Sequence, residues 1–524
     1  MKLRALVLAG SLTGVLAAAP APTPVDLAPT AAADEGVGSD NVRHVANLPH
    51  VNAQGEDPGA DGGSDIEFFT ISYERNDYAD RFLRGRSTPG GLKQQDLNGD
   101  VADGIQRRYA LAGTVGNGMH IYDITSPEDT FRVTRYDCPA NQGDSQIFTR
   151  DEDGVTRTYA TYTTEDTRPV SGDTVCGQDV GAEPSAKLIG TFIVDISDPY
   201  APRAVGFIKV PEGSHNGTVH PSGEYFYNSN SSLYNNTVRD GGPGIEYYDI
   251  SDVTAPVRLG RLPLKPIPAS LGTESHDITF NADGTRAYSA ALSQGVILDT
   301  SNPAKPSIIT QWVDPTIQVW HQADPIQVGD RTLLVVEDEV AGALPTGQCP
   351  NGGVHVFDVT GDPAVPEKIG YWNIDEVRVM AADGSPPAST CTAHVFRLYP
   401  EQGIMTIAYY NGGVRVVDLA GLAGIGLGED AVTGDDPMVQ LGYHRFADSD
   451  AWSVKTPEIA EDGSFYMFSN DLERGLDVYH FTAEEDAEAR THGRWMSAAE
   501  AAAVLTPVSA AQLQAADGFS CLLP

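Results

Sequence analysis

The stretch FIVDISDPYAP, Phe192 to Pro202, reads as an apolar strand stopped by Asp195 and turned by Ser197, Asp198 and two prolines. Aspartate and serine side chains bond nearby backbone amides, and proline cannot donate to a strand ladder, so the phrase marks a strand running into a turn. It recurs as MHIYDITSP at Met119, IEYYDISDVTAP at Ile245, VILDTSNPAKP at Val296, VHVFDVTGDPAVP at Val354 and, without the proline, VRVVDLAG at Val414. Such recurrence means that one supersecondary unit is built several times over.

After most of these phrases comes a further short strand: RAVGFIKV, VRLGRLPL, SIITQWV, EKIGYWNI or VQLGYHRF. Two more strands precede each, as HDITF and RAYSAAL do around the turn NADGT. Four short strands per unit is the pattern of a propeller blade. First strands begin near Asp65, Asp144, His215, His276, His321, His394 and Lys455, which makes seven units. The seventh supplies only three strands, ending in LDVYHF, while VRHVANLP at Val42 matches RAVGFIKVP in type and spacing. The expected fold is therefore all-β: a seven-bladed β-propeller closed by its N-terminal strand, which removes an exposed edge. The expected boundaries are a leader over 1–33, the propeller over 34–482 and an Ala/Glu-rich extension over 483–524. In that extension AEEDAEA and SAAEAAAVL read as short helices packed outside the ring.

The third strands FIVDISDP, IEYYDISD and VRVVDLAG resemble those of the LVIVD-repeat family. The resemblance runs from Val42 to Phe481 and implies a secreted bacterial propeller. It implies little about activity, because propellers host many unrelated chemistries.

Lys2 and Arg4 precede an uncharged apolar run, Ala5 to Ala19, followed by small-residue sites at Ala17–Ala19 and Ala31–Ala33. This is the arrangement of an export signal, and the run is too short to span a membrane. The protein is expected to be secreted and extracellular, without a membrane span. The net charge of −38, from 72 acidic and 34 basic residues, disfavours nucleic acid, whose phosphates require lysine and arginine. Five cysteines suit an oxidising compartment, with Cys521 as the odd one. Cys138–Cys176 and Cys349–Cys391 are the pairings that would staple long loops, although four cysteines allow three connectivities.

Inner strands of a propeller line its channel. Aligning the blades on the following turn puts Asp65, Asp144, His215, His276, His321, His394 and Lys455 at one repeat position. With only 12 histidines in the chain, four at consecutive repeats is an ordered placement. Imidazole suits transition metals, so His215, His276, His321 and His394 are expected metal ligands, for copper or iron first and zinc or manganese next. Glu337 and Asp338 are candidate catalytic groups or partners to the ligands, although an acidic pair in so acidic a chain also suits solvent. Asp65, Asp144, Lys455, Trp320 and Tyr410 are candidate contacts for a small-molecule or saccharide ligand at the channel mouth. A plain polar channel holding water is the alternative reading of the same ring.

Carotenoid oxygenases and the selenium-binding-protein family also hold metals with propeller histidines, but this sequence is similar to neither over its length. No GxSxG elbow, Walker loop or HExxH helix occurs, and DLNGDVADG at Asp96 is an incomplete calcium loop. The expectation is a monomeric metal-dependent enzyme, an oxidoreductase first. The alternatives are a non-catalytic ligand-binding or cell-surface interaction propeller, and a metal-dependent lyase or hydrolase.

Overall fold

At the end of each recurring third strand the aspartate bends back on the chain. Asp123, Asp195, Asp249, Asp299, Asp358 and Asp418 each accept, through Oδ1, the backbone amide two residues on, at 2.7–3.0 Å. The following hydroxyls of Thr125, Ser197 and Thr360 then accept amides from the second strand, those of Arg108, Thr158 and Thr332. The phrase thus pins a strand end to its neighbour as well as turning it.

The computed structural model describes residues 36–52, 62–73, 105–152, 154–231, 243–267, 272–339, 352–375, 391–425 and 436–505. The leader, the loop at Asp96, Cys349 and Cys521 lie outside the described residues. Seven antiparallel sheets follow one another round the ring, each built on four strands in meander order, and Val37–Gly38 adds a fifth at the outer edge of blade 6. Blade 1 runs from Gly63–Tyr73 to Phe131–Tyr136, blade 2 from Ile147–Glu152 to Arg203–Lys209 and blade 3 from Gly217–Val219 to Val257–Pro263. Blade 4 runs from Asp277–Phe280 to Ser307–Trp312, blade 5 from Trp320–Val328 to Glu367–Ile374 and blade 6 from His394–Tyr399 to Val439–Arg445.

Blade 7 takes Ala451–Lys455, Phe465–Asp471 and Gly475–Phe481 from the end of the ring and Val42–Leu48 from its beginning. A register shift divides the third and fourth strands of blades 1 to 6, as at Ile121/Tyr122 and Ile193/Val194. The N-terminal strand carries the same irregularity at His44/Ala46. It is a fourth strand in detail as well as in position.

The core is layered between blades. Apolar clusters join each blade to the next, from blades 1 and 2 (Leu111, Tyr162) round to blades 7 and 1 (Phe468, Ile66). Covering apolar area is worth roughly 25 cal/mol per Å², and every layer depends on its neighbour being present, so the closing strand completes the last one.

The C-terminal extension departs from expectation. Ala498–Val504 is a helix, with Ser497 and Glu500 forming a reciprocal cap. Gly493–Ser497, however, is a fifth strand on the outer edge of blade 5. AEEDAEA forms no α-helix: the Asp486 carboxylate accepts the Glu488 and Ala489 amides and starts a single 3-10 turn, Ala489–Thr491. Cys138 and Cys176 form a disulfide, and Cys391 is also disulfide-bonded.

Candidate metal centre

The four histidines come together. Ring centroids lie 4.5 Å apart for His215–His276, 4.0 Å for His276–His321 and 4.4 Å for His321–His394, and all four residues are buried. His321 is the extra residue of a bulge between Trp320 and Gln322, and bulges re-aim side chains near functional sites.

What each imidazole can offer depends on its second nitrogen. Nδ1 of His276 donates to the His321 carbonyl at 2.9 Å, and Nδ1 of His394 to the Trp452 carbonyl at 2.6 Å. A carbonyl only accepts, so these Nδ1 atoms carry the proton and each Nε2 presents a lone pair. Nδ1 of His321 lies 2.5 Å from Glu337 Oε2, the carboxylate–histidine pairing that orients metal ligands. Burial drives His276 and His321 well below the ordinary histidine value and brings His394 down to about 3. They are therefore neutral, the form a metal binds. His215 differs: Glu165 Oε1 lies 2.7 Å from its Nδ1, and the Gln142 amide donates to its Nε2 at 3.2 Å.

The residue that completes the set is Glu339. Its Oε2 lies 3.6 Å from His321 Nε2 and its Oε1 3.9 Å from His394 Nε2. Ligand atoms of His321, Glu339 and His394 fall within 4.8 Å of one another. Bonds of about 2.0–2.1 Å in a tetrahedral site would separate ligand atoms by about 3.3 Å, so movements below an ångström would seat an ion. Glu339 Oε2 and His394 Nε2 are buried and form no hydrogen bond among the described residues. An orphaned buried acceptor costs about 1–3 kcal/mol, which a cation would recover. Burial pushes the Glu339 carboxyl up to about 8.

The other predicted residues fall into three groups. Tyr410 belongs to the site: its hydroxyl donates to Glu339 Oε1 at 2.8 Å and its ring lies 4.6 Å from that of His394. It sits at φ +42°, a conformation costing about 1–3 kcal/mol, and reciprocal amide–carbonyl bonds with Ala451 hold it there. Asp338 faces away from the histidines and accepts the Gln318 and Val319 amides. Trp320 is core, packed edge-on to Trp312 and stacked on Phe357. Asp65 and Lys455 pair with one another further along the channel, and Asp144 accepts the Gly217 amide.

Strand alternation contained the signal for Glu339. In VVEDE, residues 337 and 339 share one face and 338 takes the other, so the acidic pair to single out was the one spaced by two.

Beside these groups opens a cavity of about 650 Å³, lined by His276, His321 and His394 and by polar residues of the inner strands. Among the described residues no helix is long and apolar enough to cross a membrane.

Compared with protein-family models and with curated proteins, the chain matches none. Solved structures are similar to it only at low identity and low TM-score. A functionally unknown protein from Desulfotomaculum acetoxidans is 13% identical with a TM-score of 0.37, covering 60% of this chain and 79% of that one. Hydrazine synthase from Kuenenia stuttgartiensis is 12% identical with a TM-score of 0.41, covering 71% and 91%. A protein from Lactobacillus plantarum is 10% identical with a TM-score of 0.42, covering 82% and 100%. At these values the likeness carries no argument about function.

Proposed function

We propose that the protein is a secreted metalloenzyme, an oxidoreductase whose transition metal is held by His321, His394 and Glu339, with His276 beside them. The observation that carries this is the convergence of His321 Nε2, His394 Nε2 and the Glu339 carboxylate in a buried place, two of whose acceptor atoms have no hydrogen-bond partner among the described residues. Two histidines and one carboxylate with further positions open suit non-haem iron, and the same donors also suit zinc. Bound there, a metal would supply Lewis acidity and, if iron or copper, electron transfer. The adjoining cavity gives a substrate access to the open positions. Glu337 is then a positioning residue for His321, and Tyr410 one for Glu339.

Secretion is supported by the charged, apolar and small-residue order of residues 1–33 and by the disulfide, which suits an oxidising compartment. The likeness of the third strands to LVIVD repeats supports the same placement.

Elemental analysis of the purified full-length protein tests the reading. About one iron, copper, zinc or manganese per chain, lost in Glu339→Gln and in His394→Ala, is the expected result. Zinc alone would move the reading to a hydrolase or lyase. No metal, even after soaking, would leave a binding propeller.

A further inference from the structure

The cavity beside the histidines is far larger than an ion requires and falls within the range of about 300–1,000 Å³ used by small organic ligands. Its charges are unevenly arranged. Lys455 lies within 2.8 Å of both Asp65 and Glu67, and Arg397 also pairs with Glu67, so these four groups neutralise one another. Four further carboxylates line the same cavity: exposed Asp283, which has Arg286 beside it, and Asp144 from blade 2, Asp277 from blade 4 and Asp324 from blade 5.

Asp144, Asp277 and Asp324 form no ion pair among the described residues. Asp144 accepts the Gly217 amide, Asp277 the Ile278 amide, and Asp324 the Thr279 hydroxyl and the Gln322 amide. Each of the three is therefore held by hydrogen bonds, with Lys455 near enough to be felt but not paired with any of them. Burial, and next the like charges of Asp65 and Asp277, push the Asp144 carboxyl well above its ordinary value. In the same cavity His394, fully buried, turns an Nε2 without a hydrogen-bond partner among the described residues, at the end where the proposed metal would sit. Phe280, Ile326 and Trp452 supply apolar wall between the polar groups. A hydrated metal ion has no use for that wall, whereas an organic cation covers it and meets aromatic faces favourably.

We propose that this cavity takes a small organic cation, an alkylammonium whose charge sits among Asp144, Asp277 and Asp324 and whose carbon chain lies against the apolar wall. The proposal deepens the metalloenzyme reading by naming its substrate class, and rests on it only for what happens to the amine once bound.

The test is calorimetry on the zinc-loaded full-length protein, zinc serving as a redox-silent probe, with n-butylammonium chloride, n-butanol and sodium butyrate at equal ionic strength. Butylammonium should bind saturably, about tenfold tighter than the neutral and anionic analogues, and about tenfold weaker to Asp144→Asn and to Asp277→Asn. Equal binding of butyrate or butanol, or unchanged affinity in both variants, overturns the proposal. Should the variants fail to fold, the wild-type protein decides. Raising NaCl from about 0.05 to about 0.5 M must weaken butylammonium binding and leave butanol unaffected. Zinc content measured on the same samples separates the two readings. Butylammonium bound without zinc upholds the cation site and sinks the metal centre, and zinc without a preference for the ammonium does the reverse.

Discussion

On the side of the channel built by blades 6, 7 and 1, the Lys455 ammonium lies 2.7–2.8 Å from Asp65 and Glu67, and Arg397 joins Glu67. Each of these charges meets an opposite charge from another blade. Where blades 5 and 6 meet, His321, Glu339 and His394 are equally buried, yet Glu339 Oε2 and His394 Nε2 have no hydrogen-bond partner among the described residues. The same ring therefore contains one place whose polar groups satisfy one another and one place made of acceptors facing acceptors. Lone pairs converging on lone pairs repel, so the buried Glu339 carboxyl keeps its proton up to about pH 8, and a metal ion could take that proton's place. The first place is neutralised by its own charges, and the second is a group that could hold a metal ion.

Removing the cation from the self-sufficient side should have the largest effect. Lys455→Met leaves Asp65 and Glu67 buried without it and should cost about 3–5 kcal/mol in urea unfolding. A loss below about 1 kcal/mol would mean that this side is no better satisfied than the other.

The histidine side should behave in the opposite sense. Glu339→Gln removes a carboxylate that has no cation, so the metal-free variant should unfold within about 1 kcal/mol of the parent. Saturating metal at about a hundred times its dissociation constant should stabilise the parent by about 2.7 kcal/mol and leave Glu339→Gln unmoved. A chelator should reverse the gain. Equal stabilisation of both proteins would place the ion elsewhere.

A smaller effect sharpens the account of how the carboxylate is held. Tyr410→Phe removes the hydroxyl donor to Glu339 and should weaken metal binding about tenfold, read by competition with a chromogenic chelator. It should change metal-free stability by only about 1 kcal/mol.

The smallest predicted effect concerns the closing strand. Asp477 in blade 7 is fully buried, which by itself raises its pKa. The hydrogen bond from His44 of the N-terminal strand and the Arg474 guanidinium outweigh that and hold it below the ordinary aspartate value. A carboxyl depressed on folding contributes stability above its unfolded value, near pH 4, and loses it as pH falls through the folded value. Asp477→Asn should therefore lower stability at pH 7 and flatten the acid limb of the stability curve below about pH 4. An unchanged acid limb would show that the closing strand is not secured by this group.

Much of this was legible in the sequence, because a propeller repeats its instructions. The aspartate after each third strand announces a turn, and six such turns are present as read. The closure was legible too, because VRHVANLP could be matched to a fourth strand. The site was legible only in part. Equal spacing put four histidines at one repeat position, but spacing does not reveal what their second nitrogens bond. His215 is engaged by Glu165 and Gln142, both remote in sequence. Asp65 and Lys455 were aligned with the histidines, yet the Ala451/Ser453 bulge matches that at Trp320/Gln322, so Trp452 takes the place of His321 and Lys455 lies three residues further along, where it pairs with Asp65. Trp320 was assigned to the mouth, but its ring packs into the core against Trp312 and Phe357.

The central claim is that an ion sits among His321, His394 and Glu339, and anomalous diffraction from metal-soaked crystals tests it most directly. A single strong peak about 2.1 Å from both Nε2 atoms and a Glu339 oxygen, absent in crystals of Glu339→Gln, is the predicted result. A peak at any other place, or one that persists unchanged in Glu339→Gln, would contradict the account.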